Sequence, residues 1–314
     1  MSPGIRALLG VLVLMVAWYI WRWVSLERRR TSGTDASPAA RRTSGTDASP
    51  AARRSSLADV SIGFVTNFFD TLGIGNFAPT TAAFKLLKRM PDEEIPGTLN
   101  AGHALAVLAE ALIFIAAVAV DFTTLVGMIV ASVVGAWFGA GFVSRLPRRG
   151  IQIGMGVALL IAAMLFLAAN LHWMPGGGEK LGLTGGARVF AIAMNFVLGA
   201  LMTLGVGLYA PCLILISLLG MSPLAAFPIM MGSCALLMPV AGARFIEAGR
   251  YNLRAAVGLT IGGVPGVLIA AYIVKSLPIV WLRWLVVVVV TYAAIMMLAS
   301  SRRPAPASSA AVAD

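Results

Sequence analysis

A nine-residue stretch near position 75 recurs almost unchanged 132 positions later, and that recurrence decides most of what the chain can be. Thr71-Leu72-Gly73-Ile74-Gly75-Asn76-Phe77-Ala78-Pro79 returns as Thr203-Leu204-Gly205-Val206-Gly207-Leu208-Tyr209-Ala210-Pro211, with six positions identical. The same offset pairs Phe64-Val65 with Phe196-Val197 and Pro96 with Pro228. An offset of 131 pairs the segment 143–147 with 274–278. A whole unit has been duplicated. Apolar segments surround both copies, at about 57–89, 97–120, 123–146 and 150–170, then at about 187–220, 222–246, 252–276 and 279–300. With 59% hydrophobic and 12% charged residues and a mean hydropathy of +0.88, these are membrane segments. A further apolar stretch at 5–26 is long enough to span, and Arg28, Arg29 and Arg30 follow it without a small-residue cleavage site, which describes an uncleaved anchor.

The formal charge of +11 does not describe a nucleic-acid surface, because the bases crowd into a few connecting segments, as topology determinants do. Their placement also arbitrates topology. If each long first segment, 57–89 and 187–220, crossed the bilayer once, Lys85, Lys88, Arg89, Arg145, Arg148 and Arg149 would lie outside. If instead each folds back at its TLGxG tip as two half-helices, those residues join Arg244, Arg250, Arg254, Arg302 and Arg303 inside, leaving only Lys180, Arg188, Lys275 and Arg283 opposite. The positive-inside rule selects the second arrangement. Each half then makes three full crossings, so the second is inserted upside down relative to the first.

The expected fold is therefore an all-α polytopic membrane protein. It has two inverted repeats of about four helical segments each, with broken or re-entrant first segments, plus an N-terminal anchor helix. The expected domains are the anchor at 1–27, a linker at 28–56, a first repeat at 57–170, a Gly-rich connector at 171–186, a second repeat at 187–300 and a tail at 301–314. The linker carries TSGTDASPAARR twice in tandem, an Arg-rich composition with nothing to build a core from, and reads as disordered. Its arginines place it, and with it the tail, on the cytoplasmic side.

Each tip has two glycines that permit unusual backbone angles and a proline suited to the first turn of a new helix. A helix starting near Pro79 or Pro211 would point its partial positive end into the break, which favours an anion. The candidate substrate-binding residues are Gly73, Gly75, Asn76, Pro79, Thr80, Gly205, Gly207, Tyr209, Pro211 and Cys212, with Thr81 beside them. Close helix packing by the glycines is the competing account. Asp70 has Met202 as its counterpart, and His103 and Glu110, seven apart, share a helix face. These three are the candidate coupling or gating residues, since ionisable groups at membrane depth are costly. A helix-end carboxylate and a structural polar pair are the alternatives. Gly135-xxx-Gly139 and Gly262-xxx-Gly266 read as packing ridges, within one chain or across a homodimer. Cys212 and Cys234 are expected to behave as small hydrophobes. Two cysteines and two histidines give no disulfide framework, metal cluster or cofactor motif, and nothing supplies a nucleophile and base for an enzyme.

The duplication, the GxGxxxP element opening each half and the size resemble the sulfite exporter TauE/SafE family of bacterial membrane permeases, over roughly residues 57–300. The resemblance implies a secondary carrier that exports or imports small anions, chiefly sulfite, sulfoacetate or other organosulfonates, in the bacterial cytoplasmic membrane. Independently of it, Asp70, His103 and Glu110 make protons a candidate coupling ion. An anion channel, and an assembly protein docking through its N-terminal arm, are the other classes compatible with the segments.

Overall fold

The computed structural model describes residues 2–31, 57–173, 178–205, 207–273 and the single positions 291, 295 and 298. The expected crossing at 279–300, most of the linker and the tail therefore lie outside the described residues. The chain is helical: α1 (Pro3–Thr31), α2 (Leu57–Asp70), α3 (Phe77–Leu86), a 3-10 turn (Asp92–Glu94), α4 (Ile95–Ala117), α5 (Phe122–Val143), α6 (Arg148–Asn170), α7 (Gly185–Met202), α8 (Tyr209–Leu218), α9 (Pro223–Glu247) and α10 (Leu253–Ile273). Among the described residues six segments are long and apolar enough to cross a membrane: Pro3–Arg29, Asp92–Ala117, Phe122–Val143, Gly185–Met202, Leu224–Glu247 and Leu253–Tyr272. Among the described residues there is no strand, only a single bridge between Lys180 and Met221. Helix α1 runs to Thr31, past the expected boundary at residue 27.

Both long first segments are broken at their tips. In the first, Gly73 N–H donates to Asp70 O (2.8 Å) with Gly73 at φ +84°; in the second, Gly205 N–H donates to Met202 O (2.9 Å) with φ +94°. Only glycine takes that backbone region readily, so the same residue ends the half-helix in both copies. The chain then reverses. Arg89, beyond the end of α3, grips Asp59 in the first turn of α2 through two hydrogen bonds (3.1 and 2.8 Å), so the hairpin enters and leaves at one end of the bundle. At that same end Asn252 N–H donates to Thr98 at the start of α4 (2.9 Å), and Arg250 donates to Leu146 O beyond α5 (3.1 Å). The α7–α8 hairpin opens at the other end, where Ser222 N–H donates to Lys180 O (2.8 Å) and Asp121 N–H, just before α5, donates to Leu181 O (2.8 Å). The two hairpins thus approach each other from opposite ends.

Packing follows an exchange pattern between the halves. Helix α2 packs mainly on α10 and α7 on α5, which are equivalent pairings; α4 on α10 matches α9 on α5, and α4 with α9 forms the central pair. The same exchange holds at the level of single atoms. A Cβ on Gly266 would stand 2.5 Å from Phe64 O, and one on its counterpart Gly135 would stand 2.0 Å from Phe196 O, the equivalent carbonyl. Backbone contact this close explains the small-residue ridges as intrachain seams, van der Waals packing being the main attraction between helices in lipid. Proline inside α9 (Pro228, Pro239) and α10 (Pro265) is carried by these neighbours.

Helix α1 lies on α9 and α4 instead of standing apart. Leu12 and Tyr19 are fully buried, and Tyr19 donates to Ala101 O (3.0 Å). Nearer the linker, Arg22 pairs with Glu247, Tyr251 donates to Glu27, and Trp23 donates to Tyr251 (3.3 Å).

Candidate functional site

Where the two hairpin tips meet, the structure holds a small cavity lined by Asp70, Gly75, Asn76 and Phe77 from the first hairpin and by Met202, Gly207, Leu208 and Tyr209 from the second. Val107 of α4 and Cys234 and Met238 of α9 complete the wall. A water-sized sphere has about 10 Å³ in which to move, room for about one water. A Cβ on Gly75 would be 3.8 Å from Tyr209 Cβ, so the tips are in ordinary contact.

Of the expected tip residues, the structure brings Gly75, Asn76, Gly207 and Tyr209 to this cavity. Gly73 turns instead toward the Phe227 ring, where a Cβ would meet it at 3.1 Å. Pro79 and Pro211 sit in the first turns of α3 and α8, and in each helix the next residue makes the first backbone bond, Thr80 N–H to Asn76 O and Cys212 N–H to Leu208 O (both 3.0 Å). Thr80, fully buried, bonds to His103, and Cys212 is buried behind the lining. Gly205 ends α7 as described above.

Behind the cavity runs a chain of buried polar groups, most of them from the first half. Asn67 Nδ2 donates to Gly63 O (2.7 Å) and to His103 Nδ1 (2.8 Å), which leaves the ring hydrogen on Nε2, facing Thr80 Oγ1 at 3.0 Å. Asn76 Nδ2 donates to Asn67 Oδ1 (3.0 Å) and to Asp70 Oδ2 (2.7 Å). Thr71 Oγ1 lies 2.9 Å from Asn67 O and 2.7 Å from Glu110 Oε1. From the second half Tyr209 donates to Glu110 Oε2 (3.0 Å), joining the two halves through one carboxyl. Asp70 and Glu110 face each other within hydrogen-bonding reach.

His103 and Glu110 share a helix face as expected, but each bonds to different partners and no hydrogen bond joins them. The direct neighbour of Glu110 is Asp70, a pairing that spacing along the chain does not reveal. Asn67 and Thr71 are the other members that sequence reasoning undervalued. Their signal was position: Asn67 lies in the last turn of α2, and Thr71, four residues on, opens the tip motif just beyond it. Met202, Cys234 and Met238 also line the cavity, and Cys234 sits 3.6 Å from the Met202 sulfur. Among the described residues no group of His, Cys, Asp and Glu could hold a metal ion.

A broken-helix core of this kind, in a bundle of membrane-length apolar helices, defines a polytopic membrane protein whose polar centre lies between two re-entrant tips. The family model of the sulfite exporter TauE/SafE matches residues 1–166, more than half of the chain, and the protein belongs to that family of membrane transporters. The matched region starts at the N-terminus and ends within α6. It therefore takes in the anchor and linker, which the sequence resemblance had left out, and stops before the second hairpin. No curated protein and no solved structure matches the chain.

Proposed function

We propose that the protein is a secondary transporter of small sulfur-containing anions, sulfite, sulfoacetate or another organosulfonate, across the bacterial cytoplasmic membrane, with the anion held between the hairpin tips. The observation that carries this reading is the cavity lined by both tips at the starting turns of α3 and α8. The N–H groups of Phe77 and Ala78 precede the first helical bond of α3, and helix N-termini favour negative charge. With room for about one water, the cavity has too little space for an oxyanion, so loading requires the tips to part. Hairpins approaching from opposite ends support a cycle in which inverted halves open the same site alternately to each side. A centre this narrow favours such a carrier over an open anion channel. The end bearing Lys85, Arg89, Arg145, Arg149, Arg244, Arg250 and Arg254 is assigned to the cytoplasm.

The test is uptake of labelled sulfite, sulfoacetate and sulfate by proteoliposomes containing the full chain. Saturable uptake of a sulfur anion, competed by the unlabelled compound, is expected. Folded protein that moves none of the three would overturn the reading.

A further inference from the structure

We infer that Asp70 and Glu110 together form a proton-binding site at the tips, and that an anion enters only with a proton on this pair, making the protein an anion–proton symporter. The inference rests on the transport reading above and names its coupling ion.

One feature of the hydrogen-bond network carries it. Asp70 is 1% exposed, and its Oδ1 has no hydrogen-bond partner although Oδ2 is fully engaged by Asn76. A buried carboxyl oxygen without a donor is costly, and its neighbour is the Glu110 carboxyl, which as a carboxylate can only accept. A hydrogen between Asp70 and Glu110 satisfies that atom. Both Glu110 oxygens already have donors, Thr71 Oγ1 at Oε1 (2.7 Å) and Tyr209 at Oε2 (3.0 Å), whereas Asp70 Oδ1 has none. The missing hydrogen therefore belongs between the two carboxyls.

The charges facing the pair point the same way. Helix α8 presents Tyr209, α9 presents Cys234, and α4 presents His103 one step away through Asn67. Among the described residues no lysine or arginine faces it: Lys85 and Arg89 are held by Asp92 and Asp59 at the basic end. An anion between the tips would meet two carboxylates with only helix dipoles to offset them. Like charges at such range, away from water, cannot both stay ionised, and a second anion beside them raises the cost further. One proton on the pair leaves a single negative charge spread over a hydrogen-bonded unit, and a second removes it. His103 is outside this exchange, because both ring nitrogens are occupied by the neutral side chains of Asn67 and Thr80; it positions the tip.

The experiment has two arms on the full chain and its Asp70→Asn and Glu110→Gln variants. Infrared difference spectra during a titration from mildly alkaline to mildly acidic buffer read the carbonyl stretch of a protonated carboxyl without any substrate. Proteoliposomes loaded with a pH dye then read proton movement during sulfoacetate uptake; the compound has no group titrating near neutrality. The wild type is expected to show a titrating carboxyl band that each substitution removes, and interior acidification that follows sulfoacetate entry. In the variants sulfoacetate should no longer concentrate against its gradient when a pH gradient is imposed. A spectrum unchanged by both substitutions, or sulfoacetate uptake with no proton movement, overturns the proton site. A band that behaves as expected, with none of the sulfur anions transported, supports the proton site and overturns the anion reading instead.

Discussion

Replacing Gly75 by alanine and then by leucine separates backbone strain from loss of space at the tip. Gly75 has φ +87°, and the nearest atom to a Cβ there is Tyr209 Cβ at 3.8 Å. Alanine therefore meets no clash and bears only the left-handed backbone penalty of about 1–2 kcal/mol. Leucine bears the same penalty and in addition forces an isobutyl group into room for about one water, for which overpacking adds about 1–3 kcal/mol. The expected destabilisation is thus about 1–2 kcal/mol for Gly75→Ala and about 2–5 kcal/mol for Gly75→Leu. In sulfoacetate uptake normalised to folded protein, the alanine variant should stay within about thirtyfold of wild type even if the whole penalty falls on the transport step, since about 1.4 kcal/mol is one factor of ten. The leucine variant should show no saturable uptake while still inserting into the membrane. Gly207→Leu, in the opposing tip, should behave alike. Uptake by folded Gly75→Leu at the wild-type rate would remove the tips from the transport path.

Gly135→Ala and Gly266→Ala should each lower the melting temperature in detergent, with a cost of about 1–3 kcal/mol, because both place a Cβ against a backbone oxygen; Gly10→Ala, with nothing within 4 Å, should not. Asp121 caps α5: partial burial works against its charge, but the Thr124 N–H (2.8 Å) and hydroxyl (2.7 Å) and nearby Arg188 hold the carboxyl below its ordinary value. Its stabilising contribution is present above the unfolded carboxylate value and lost as pH falls through the lower folded one, so acid melting curves of Asp121→Ala should converge on wild type. At neutral pH the same variant should lose about 1 kcal/mol. Cys234 lines the cavity and is 1% exposed, so a small thiol reagent should label it only when the tips part; in a Cys212→Ser background, labelling faster with sulfoacetate present than absent would confirm opening, and equal rates would deny it.

The broken first segments were legible because glycine and proline recur in register, and the charge count selected the fold-back that the Arg89–Asp59 pair closes. The seams at Gly135 and Gly266 were legible from spacing too, although not their partners, since a ridge says nothing of which helix will face it. The Asp70–Glu110 contact was hidden for a different reason. It joins a tip to the middle of α4 across 40 positions, and only the depth at which the tip stops selects Glu110 over His103. The role of α1 was also obscured, because an apolar helix reads the same whether lipid or protein covers it, and only the polar tips of Tyr19, Trp23 and Glu27 distinguish the two.

That docking of α1 has a consequence for biosynthesis. Helix α1 leaves the ribosome long before it can finish packing, because Glu247 and Tyr251, which fasten it to α9 and the turn beyond, lie 225 and 228 residues from their partners Arg22 and Trp23. Until the second half has been inserted, α1 has α4 and the Phe122 ring of α5 to lean on, but Tyr251 is not yet there to receive Trp23 or to reach Glu27. A chain cut short in its second half would therefore carry a loose leading helix, a visible mark by which membrane quality control can tell an incomplete copy from a finished one.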